Sequence, residues 1–287
     1  MMLAEALEKK LFVIYETQSV NELSMENLSP TEEVLILSGD ILKGGQQDRI
    51  AQYDQFVPPQ SGKLPLTVFC VEHTAGRWNR KMTEEDKTFT SSPGQLCSNE
   101  LRFASRYQGG QGGVWAGVAN AQGNLSHNAG RDVKAKESDS SLALSLQSKE
   151  VKAAADRYVA TLSLIVEDKA DVVGYAFAIN GKVYTADMYG SPSLFQKVWP
   201  RLLHASAIEA FADLQKDKTF TPATVAAVKT FLEEGDNGKV ASKEVTKDIR
   251  EVTNSGEKVV RVETRARAMG DMKKDGGEAI RKNYIGR

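Results

Sequence analysis

The pattern of apolar residues changes near the middle of the chain, and this change limits the possible folds more than any other feature. In the first half, short apolar or alternating runs occupy residues 11–15, 34–37, 50–57 and 64–71. Glycine, proline, asparagine and serine separate these runs, as is typical of strands joined by turns. We therefore expect the first half to form an antiparallel or mixed sheet with a sandwich-like arrangement.

The second half combines helical periodicity with hairpin signals. Apolar residues recur every three or four positions across residues 151–165, which predicts a helix. Residues 172–188 flank Asn180-Gly181, a dipeptide that favours a type I′ turn because both of its residues tolerate a positive φ, and we predict a hairpin there. After residue 245, charged and apolar residues alternate around Asn254-Ser255-Gly256, which predicts an exposed hairpin.

Two Ser/Thr-Pro pairs indicate where further helices begin. Ser191-Pro192 has the form of an N-cap followed by proline at the first helical position, and the helix that it begins should be kinked or broken at Pro200. Thr221-Pro222 repeats the pattern and predicts a helix that ends near Gly235.

These elements predict an α+β fold in which two or three helices of the C-terminal half pack on the sheet. Neither an internal repeat nor a linker rich in proline and serine divides the sequence, so we expect one domain over residues 1–287. Glycine and serine are frequent between about residues 106 and 148. We interpret this stretch as a flexible insertion, with a short helix around Trp115, Val118 and Ala119.

Composition excludes several classes of function. The 287 residues carry a net charge of −1, which gives no field that would attract nucleic acid or an anionic membrane. No apolar stretch approaches the roughly 20 residues of a membrane span. The two cysteines, Cys70 and Cys97, fit free thiols in a reducing compartment, although a single bridge between them stays open. We expect a cytoplasmic protein unless a leader has been removed.

The most polar motif of the first half is the loop GDILKGGQQDR, which begins at Gly39. Its paired glycines, Gly44 and Gly45, can present successive backbone N–H groups, while Lys43 and Arg49 add positive charge, so the loop could bind an anion or a phosphate. The spacing matches neither a P-loop nor a dinucleotide-binding loop. The alternative is a tight turn between two strands in which Asp48 and Arg49 form a pair.

A second motif combines a thiol, a carboxylate and an arginine. Cys70 and Glu72 lie on the same face of a predicted strand because side chains alternate along a strand. A neighbouring carboxylate raises the pKa of a thiol, which favours Cys70 as a small buried residue over an activated nucleophile. Glu72 could act as a general base or bind a ligand, or it could pair with Arg77 in a structural role. Trp78 could stack on a base or sugar, or belong to the core.

Other catalytic patterns are missing from the sequence. The three histidines lie in unrelated contexts, and no zinc-binding spacing or serine-hydrolase elbow occurs, so we predict no metal site. Asp187 could face a ligand, but a turn-forming role near the following helix is favoured.

The motifs GDILKGGQQDR, VFCVE, GRW and QGGQGGVW, followed by NGK, Asp187 and Trp199, together resemble the ARG and rhodanese-phosphatase-superfamily-associated protein domain, an uncharacterised family. The resemblance implies an association with ADP-ribosylglycohydrolase and phosphatase-like domains. Gly113 departs from the family pattern, which has an acidic residue there. The polar residues that match the family by position are Lys43, Gln46, Asp48, Arg49, Cys70, Glu72, Arg77, Trp78, Gln111 and Trp115.

Two functions of different classes remain. The first is binding or processing of a small anionic ligand, possible candidates being ADP-ribose or a nucleotide. Lys43, Gln46, Arg49, Arg77 and Trp78 would then bind the ligand, and Glu72 or Asp48 would act as acid or base. The second is a non-catalytic scaffold or interaction domain in which the same residues form a structural polar network. The sequence predicts no particular cofactor, partner protein or oligomeric state.

Overall fold

A computed structural model describes residues 1–73, 89–108, 110–136, 138–266 and 277–287 of the chain. The chain forms two compact units, one of residues 1–161 and 201–212 and one of residues 162–200 and 213–287. Each unit contains its own six-stranded sheet. The α+β class is confirmed, and the single domain expected from the sequence stays a prediction.

Unit 1 is built on an antiparallel sheet. The strands of the unit are β1 (Phe12–Glu16), β2 (Glu22–Asn27), β3 (Val34–Ile36), β4 (Asp40–Lys43), β5 (Arg49–Ala51), β6 (Gln55–Val57), β7 (Leu64–Cys70) and β8 (Thr90–Leu96). The sheet has the strand order β1-β2-β7-β5-β4-β8, and β3 pairs with β6 in a separate two-stranded sheet. The core of the unit contains Leu23, Leu42, Val68 and Phe89, all of which are buried.

The strands predicted at residues 11–15, 34–37 and 64–71 are confirmed as β1, β3 and β7. The run at residues 50–57 forms two strands, β5 and β6, so the prediction of a single strand is wrong. Asp54, which lies between the two strands, explains the division. Its buried carboxylate accepts a hydrogen bond of 2.7 Å from the backbone N–H of Ser38. Neither β2 nor β4 was expected, since their sequences mix polar and apolar residues.

Five helices of the described chain lie wholly or almost wholly in unit 1. They are α1 (Leu3–Glu8), α2 (Asn99–Phe103), α3 (Gly110–Ala129), α4 (Leu142–Ser145) and α5 (Lys149–Leu162), and a π-helix (Ala104–Gln108) follows α2 directly. Helix α5 confirms the helix predicted from residue 151. The polar stretch predicted to be mainly loop contains the 20-residue helix α3.

Close packing explains one of the glycines of helix α3, Gly117. Val114, Val118 and Leu125 are buried along one face, which gives the helix its core contacts. A Cβ atom at Gly117 would lie 2.9 Å from a methyl group of Leu101 in α2, so the absence of a side chain permits the two helices to approach. The glycine content therefore reflects helix packing at this point, and the prediction of a short helix in a loop is wrong.

Unit 2 begins with a 3-10 helix (Ser163–Val166). The elements that follow it are β9 (Gly174–Ile179), β10 (Lys182–Tyr189), α6 (Pro192–Ala212), α7 (Val225–Asp236), β11 (Lys239–Glu244), β12 (Ile249–Ser255), β13 (Val259–Ala266) and β14 (Glu278–Gly286). The strands form an antiparallel sheet with the order β11-β12-β13-β14-β10-β9, and Phe231 of helix α7 is buried with Ala186, Val259 and Tyr284 of the sheet. Residues of α6 from position 201 onward belong to unit 1.

Both predicted hairpins of unit 2 are present. Strands β9 and β10 pair on either side of Asn180 and Gly181, whose φ angles are 50° and 77°, so the predicted turn is confirmed. Strands β12 and β13 likewise join through Gly256, whose N–H donates to the carbonyl oxygen of Val259 at 3.0 Å. This second hairpin lies inside the sheet with buried valines, so its predicted exposure is wrong.

The predicted helix caps are partly correct. The hydroxyl group of Ser191 accepts a hydrogen bond of 3.2 Å from the N–H of Leu194, which confirms the start of α6. The helix continues through Pro200, so a break at this residue is wrong, while the alternative of a kink stays a prediction. Buried apolar residues on both sides outweigh the lost hydrogen bond. Helix α7 ends at Asp236 as predicted, but its cap is Thr224, three residues after the predicted Thr221.

Candidate functional site

The glycine loop of the first motif is a turn between β4 and β5 that binds carboxylates of the protein itself. Gly44 and Gly45 have positive φ angles of 127° and 63°, which fit the tight turn between two strands that the sequence offered as an alternative. The N–H of Gly44 donates to Asp48 Oδ1 at 3.2 Å. The N–H of Gln46 donates to Glu16 Oε1 at 2.7 Å. The N–H groups of Gly44 and Gln46 thus both bind anions, and these anions are protein side chains.

The two proposed acid or base residues, Asp48 and Glu72, lie together in the interior. Both are completely buried. Glu72 accepts hydrogen bonds from the hydroxyl group of Ser138 at 2.5 Å and from the N–H of Asp48 at 3.3 Å. Asp48 in turn accepts a hydrogen bond of 3.2 Å from the hydroxyl group of Ser141. These contacts join the turn, the end of β7 and the segment before α4 into one polar network.

Arg49 lies in the same region but binds backbone carbonyl groups. Its side chain is completely buried, and it donates to the carbonyl oxygens of Gln47 at 2.7 Å and Val20 at 3.2 Å. Nη1 also approaches the sulfur of Cys70 at 3.8 Å. Nη2 has no hydrogen-bond partner among the described residues. Arg49 therefore fixes the strand ends around the network.

Cys70 is a buried thiol with a raised pKa. Burial raises this pKa most. Arg49 and a hydrogen bond with the backbone of Glu72 lower it, and the carboxylates of Glu72 and Asp48 raise it by smaller amounts. The thiol donates to the carbonyl oxygen of Glu72 at 2.9 Å. The carboxamide of Gln111 bonds both the N–H and the carbonyl group of Cys70, at 2.9 and 2.6 Å. The environment favours the neutral thiol, in keeping with the small buried residue favoured by the sequence.

The other predicted ligand-binding residues lie apart from this network or outside the described chain. Lys43 is half-buried at the end of β4, where its carbonyl oxygen accepts from the hydroxyl group of Thr90 at 3.4 Å. Arg77 and Trp78 lie outside the described residues, and the same holds for the proposed pair of Glu72 with Arg77. Gln46 lines a cavity beside the glycine turn.

The cavity has a volume of about 630 Å³ and lies between strand β1, the end of helix α1 and the turn after β4. Half of its lining residues are apolar and half are polar. The apolar ones are Leu7, Phe12, Val13, Ile14 and Phe89, and the polar ones are Lys10, Tyr15, Glu16, Gln18 and Gln46. Glu16 Oε2 and Gln46 Oε1 are buried without a hydrogen-bond partner in the described chain. Glu16 was not expected at a site, since it closes an ordinary apolar strand.

No cluster of three or more potential metal ligands occurs within the described ranges. The ring of His73 contacts that of Trp115 edge-on, with ring centroids 4.3 Å apart, and the N–H of His73 donates to the hydroxyl group of Ser140 at 3.0 Å. His73 and Trp115 thus help to attach helix α3 to the end of β7.

Asp187 lies on β10, the second strand from one edge of the unit 2 sheet, so the turn-forming role favoured by the sequence is wrong. It forms a two-point ion pair with Arg281, with distances of 2.8 Å from Nε and 2.6 Å from Nη2. Both side chains are completely buried. Sequence reasoning missed Arg281, although a charged residue at an inward position of a strand is a signal for such a pair. Unit 1 contains a second buried pair, Asp40 with Arg201.

Comparison with known families matches residues 1–277 to the ARG and Rhodanese-Phosphatase-superfamily-associated Protein domain. No curated protein and no solved structure matches the chain. No helix of the described segments is long and apolar enough to cross a membrane.

Proposed function

The chain belongs to the ARG and Rhodanese-Phosphatase-superfamily-associated Protein domain family, and we propose that it binds a small anionic ligand of the nucleotide or sugar-phosphate class in the cavity beside the glycine turn. ADP-ribose belongs to this class. The main support for the proposal is that Gln46, a residue of the family-like motif, lines the same cavity as Lys10 and Glu16.

The size and lining of the cavity support a ligand of this class. Ligand pockets commonly have volumes of roughly 300–1,000 Å³ and combine apolar walls with a few polar groups. Phe12 and Phe89 offer apolar surface to a ring, while Glu16 and Gln46 offer hydrogen-bonding groups to a sugar. Lys10 is exposed and supplies a positive charge for a phosphate group.

We propose a structural role for Asp48 and Glu72 in place of acid or base chemistry. Their carboxylates are buried and engaged by hydroxyl and N–H groups of the chain, so a reacting group would have to displace these bonds. Their network holds the turn from which Gln46 reaches the cavity. In this proposal the network around Asp48 and Glu72 has the structural role, and the neighbouring cavity binds the ligand.

Thermal unfolding in the presence of ligands tests the proposal. ADP-ribose, AMP and ribose 5-phosphate should raise the melting temperature of the wild type, because a ligand that binds only the native state stabilises it by mass action. Lys10→Gln and Gln46→Ala should reduce this shift. The matched control is Gln147→Ala, an exposed residue away from the cavity, which should keep the full shift.

A wild type whose melting temperature responds to no member of this panel would overturn the proposal and leave the scaffold function. A full response in Lys10→Gln and Gln46→Ala would show that the ligand binds elsewhere.

A further inference from the structure

Glu16 is a carboxylate with one oxygen committed and one free. Oε1 accepts the hydrogen bond from the N–H of Gln46 at 2.7 Å, which fixes the position of the carboxylate. Oε2 is buried and has no hydrogen-bond partner in the described part of the chain. A buried acceptor without a donor is unfavourable, so a ligand that donates a hydrogen bond to Oε2 would remove this penalty.

Gly45 shows that this arrangement is built into the turn. Its φ angle of 63° is left-handed, and a Cβ atom there would lie 2.2 Å from Glu16 Oε1 and 2.3 Å from the ring of Phe89. Only a residue without a side chain lets Glu16 reach the N–H of Gln46. The cavity wall therefore holds its carboxylate in place before any ligand binds.

We propose that Glu16 recognises the vicinal hydroxyl groups of a ribosyl ligand, with Oε2 accepting a hydrogen bond from the 2′-hydroxyl group and the carboxamide of Gln46 binding the 3′-hydroxyl group. This inference rests on the proposed function and specifies which part of the ligand the cavity selects. A carboxylate that accepts from a ribose hydroxyl group is a common device of nucleotide-binding proteins.

The charges around the cavity favour a hydroxyl group over other donors. Glu16 is the one carboxylate among the described residues that line the cavity, and Lys10 lines it as well. A ligand ammonium group would meet the positive charge of Lys10 in the same cavity. A metal ion would need several ligands, and Glu16 belongs to no metal-binding cluster in the described ranges. A neutral hydroxyl group on a phosphate-bearing ligand satisfies Glu16 and Lys10 together.

Glu16→Gln separates recognition from folding. The variant keeps an oxygen that can accept from the N–H of Gln46, but it replaces the free oxygen by an NH2 group, which cannot accept from a hydroxyl group. It also removes a buried charge, so we expect the ligand-free variant to melt at the wild-type temperature or above. The matched control is Glu22→Gln, which makes the same charge change at an exposed position of the neighbouring strand.

The experiment measures the dissociation constants of AMP and of 2′-deoxyadenosine 5′-monophosphate by calorimetry for the three proteins. We expect the wild type and Glu22→Gln to bind AMP at least about tenfold more tightly than the deoxy compound, which lacks one of the two hydroxyl groups. Glu16→Gln should bind both compounds equally and weakly.

Equal binding of the two compounds by the wild type would overturn the diol recognition while leaving nucleotide binding intact. Undiminished discrimination in Glu16→Gln would equally overturn the role of Glu16. Failure of the wild type to bind AMP, ADP-ribose or ribose 5-phosphate would overturn the proposed function and this inference with it.

Discussion

Ser138 donates a hydrogen bond of 2.5 Å to Glu72, although 66 residues separate the two in the sequence. Glu72 lies just beyond β7, and Ser138 lies in the segment between α3 and α4. The bond supplies a donor to a completely buried carboxylate. The burial of Glu72 therefore depends on the position of the segment that carries Ser138.

Ser138→Ala should lower the free energy of unfolding by about 2 kcal/mol, since hydrogen bonds to charged groups are worth about 1.5–3 kcal/mol. Glu72→Gln should lower it less, because the amide that remains is neutral. Urea unfolding followed by circular dichroism measures both changes. Ser19→Ala, at an exposed position, is the control and should leave the free energy of unfolding unchanged. A Ser138→Ala variant as stable as this control would contradict the prediction.

The distance between partners along the chain decided which features the sequence could predict. The turn at Asn180-Gly181 was predictable because its chemistry lies in two adjacent residues. The polar motif around Asp48 was recognisable as unusual for the same reason. The hydroxyl groups that donate to Asp48 and Glu72, however, belong to serines about 65–95 residues away, and a serine in a polar segment carries no sign of its partner.

The glycines of α3 illustrate a second limit. Glycine lowers helix propensity by about 1 kcal/mol per residue relative to alanine, so a segment with several glycines reads as loop. At Gly117 the missing side chain instead makes room for Leu101. Tertiary packing therefore reversed a local preference, and only knowledge of the neighbouring helix could have shown it.

Gly45→Ala should destabilise unit 1 more than Gly62→Ala does. The two glycines have nearly the same φ angle, 63° and 62°, so both variants incur a similar left-handed strain of about 1–2 kcal/mol. A Cβ atom at Gly62 meets nothing within 4 Å, whereas one at Gly45 collides with Glu16 and Phe89. The difference between their melting temperatures measures the collision alone. Equal losses would show that Glu16 and Phe89 can move away without cost.

Asp187→Asn should destabilise unit 2 by about 3–5 kcal/mol, because it removes the charge of a carboxylate that binds the buried Arg281 at two points. The double variant Asp187→Leu with Arg281→Met should regain much of this loss, since a buried ion pair can often be replaced by apolar residues. Urea unfolding of Asp187→Leu, Arg281→Met and the double variant gives the coupling free energy between the two side chains. Glu5→Gln, which breaks an exposed pair with Lys9, is the control and should have little effect. Additive losses in the double variant would contradict the prediction.

The stability of unit 2 should fall as the pH rises from 10 to 12, and Tyr284 should cause part of the fall. Burial, and then the hydrogen bond of 2.9 Å that its hydroxyl group donates to Asp236, raise the pKa of Tyr284 from 10.0 to about 12. Between these values the folded state keeps a proton that the unfolded chain releases, so the stabilisation is complete below pH 10 and is lost as the pH approaches 12. Two pKa units correspond to at most about 2.7 kcal/mol. Urea unfolding at pH 9, 10, 11 and 12 should show a shallower decline for Tyr284→Phe than for the wild type, because the variant lacks the hydroxyl group that ionises. Tyr158→Phe, in helix α5, serves as the matched control. Parallel declines for the wild type and Tyr284→Phe would mean that Tyr284 ionises equally readily in the folded and unfolded chain.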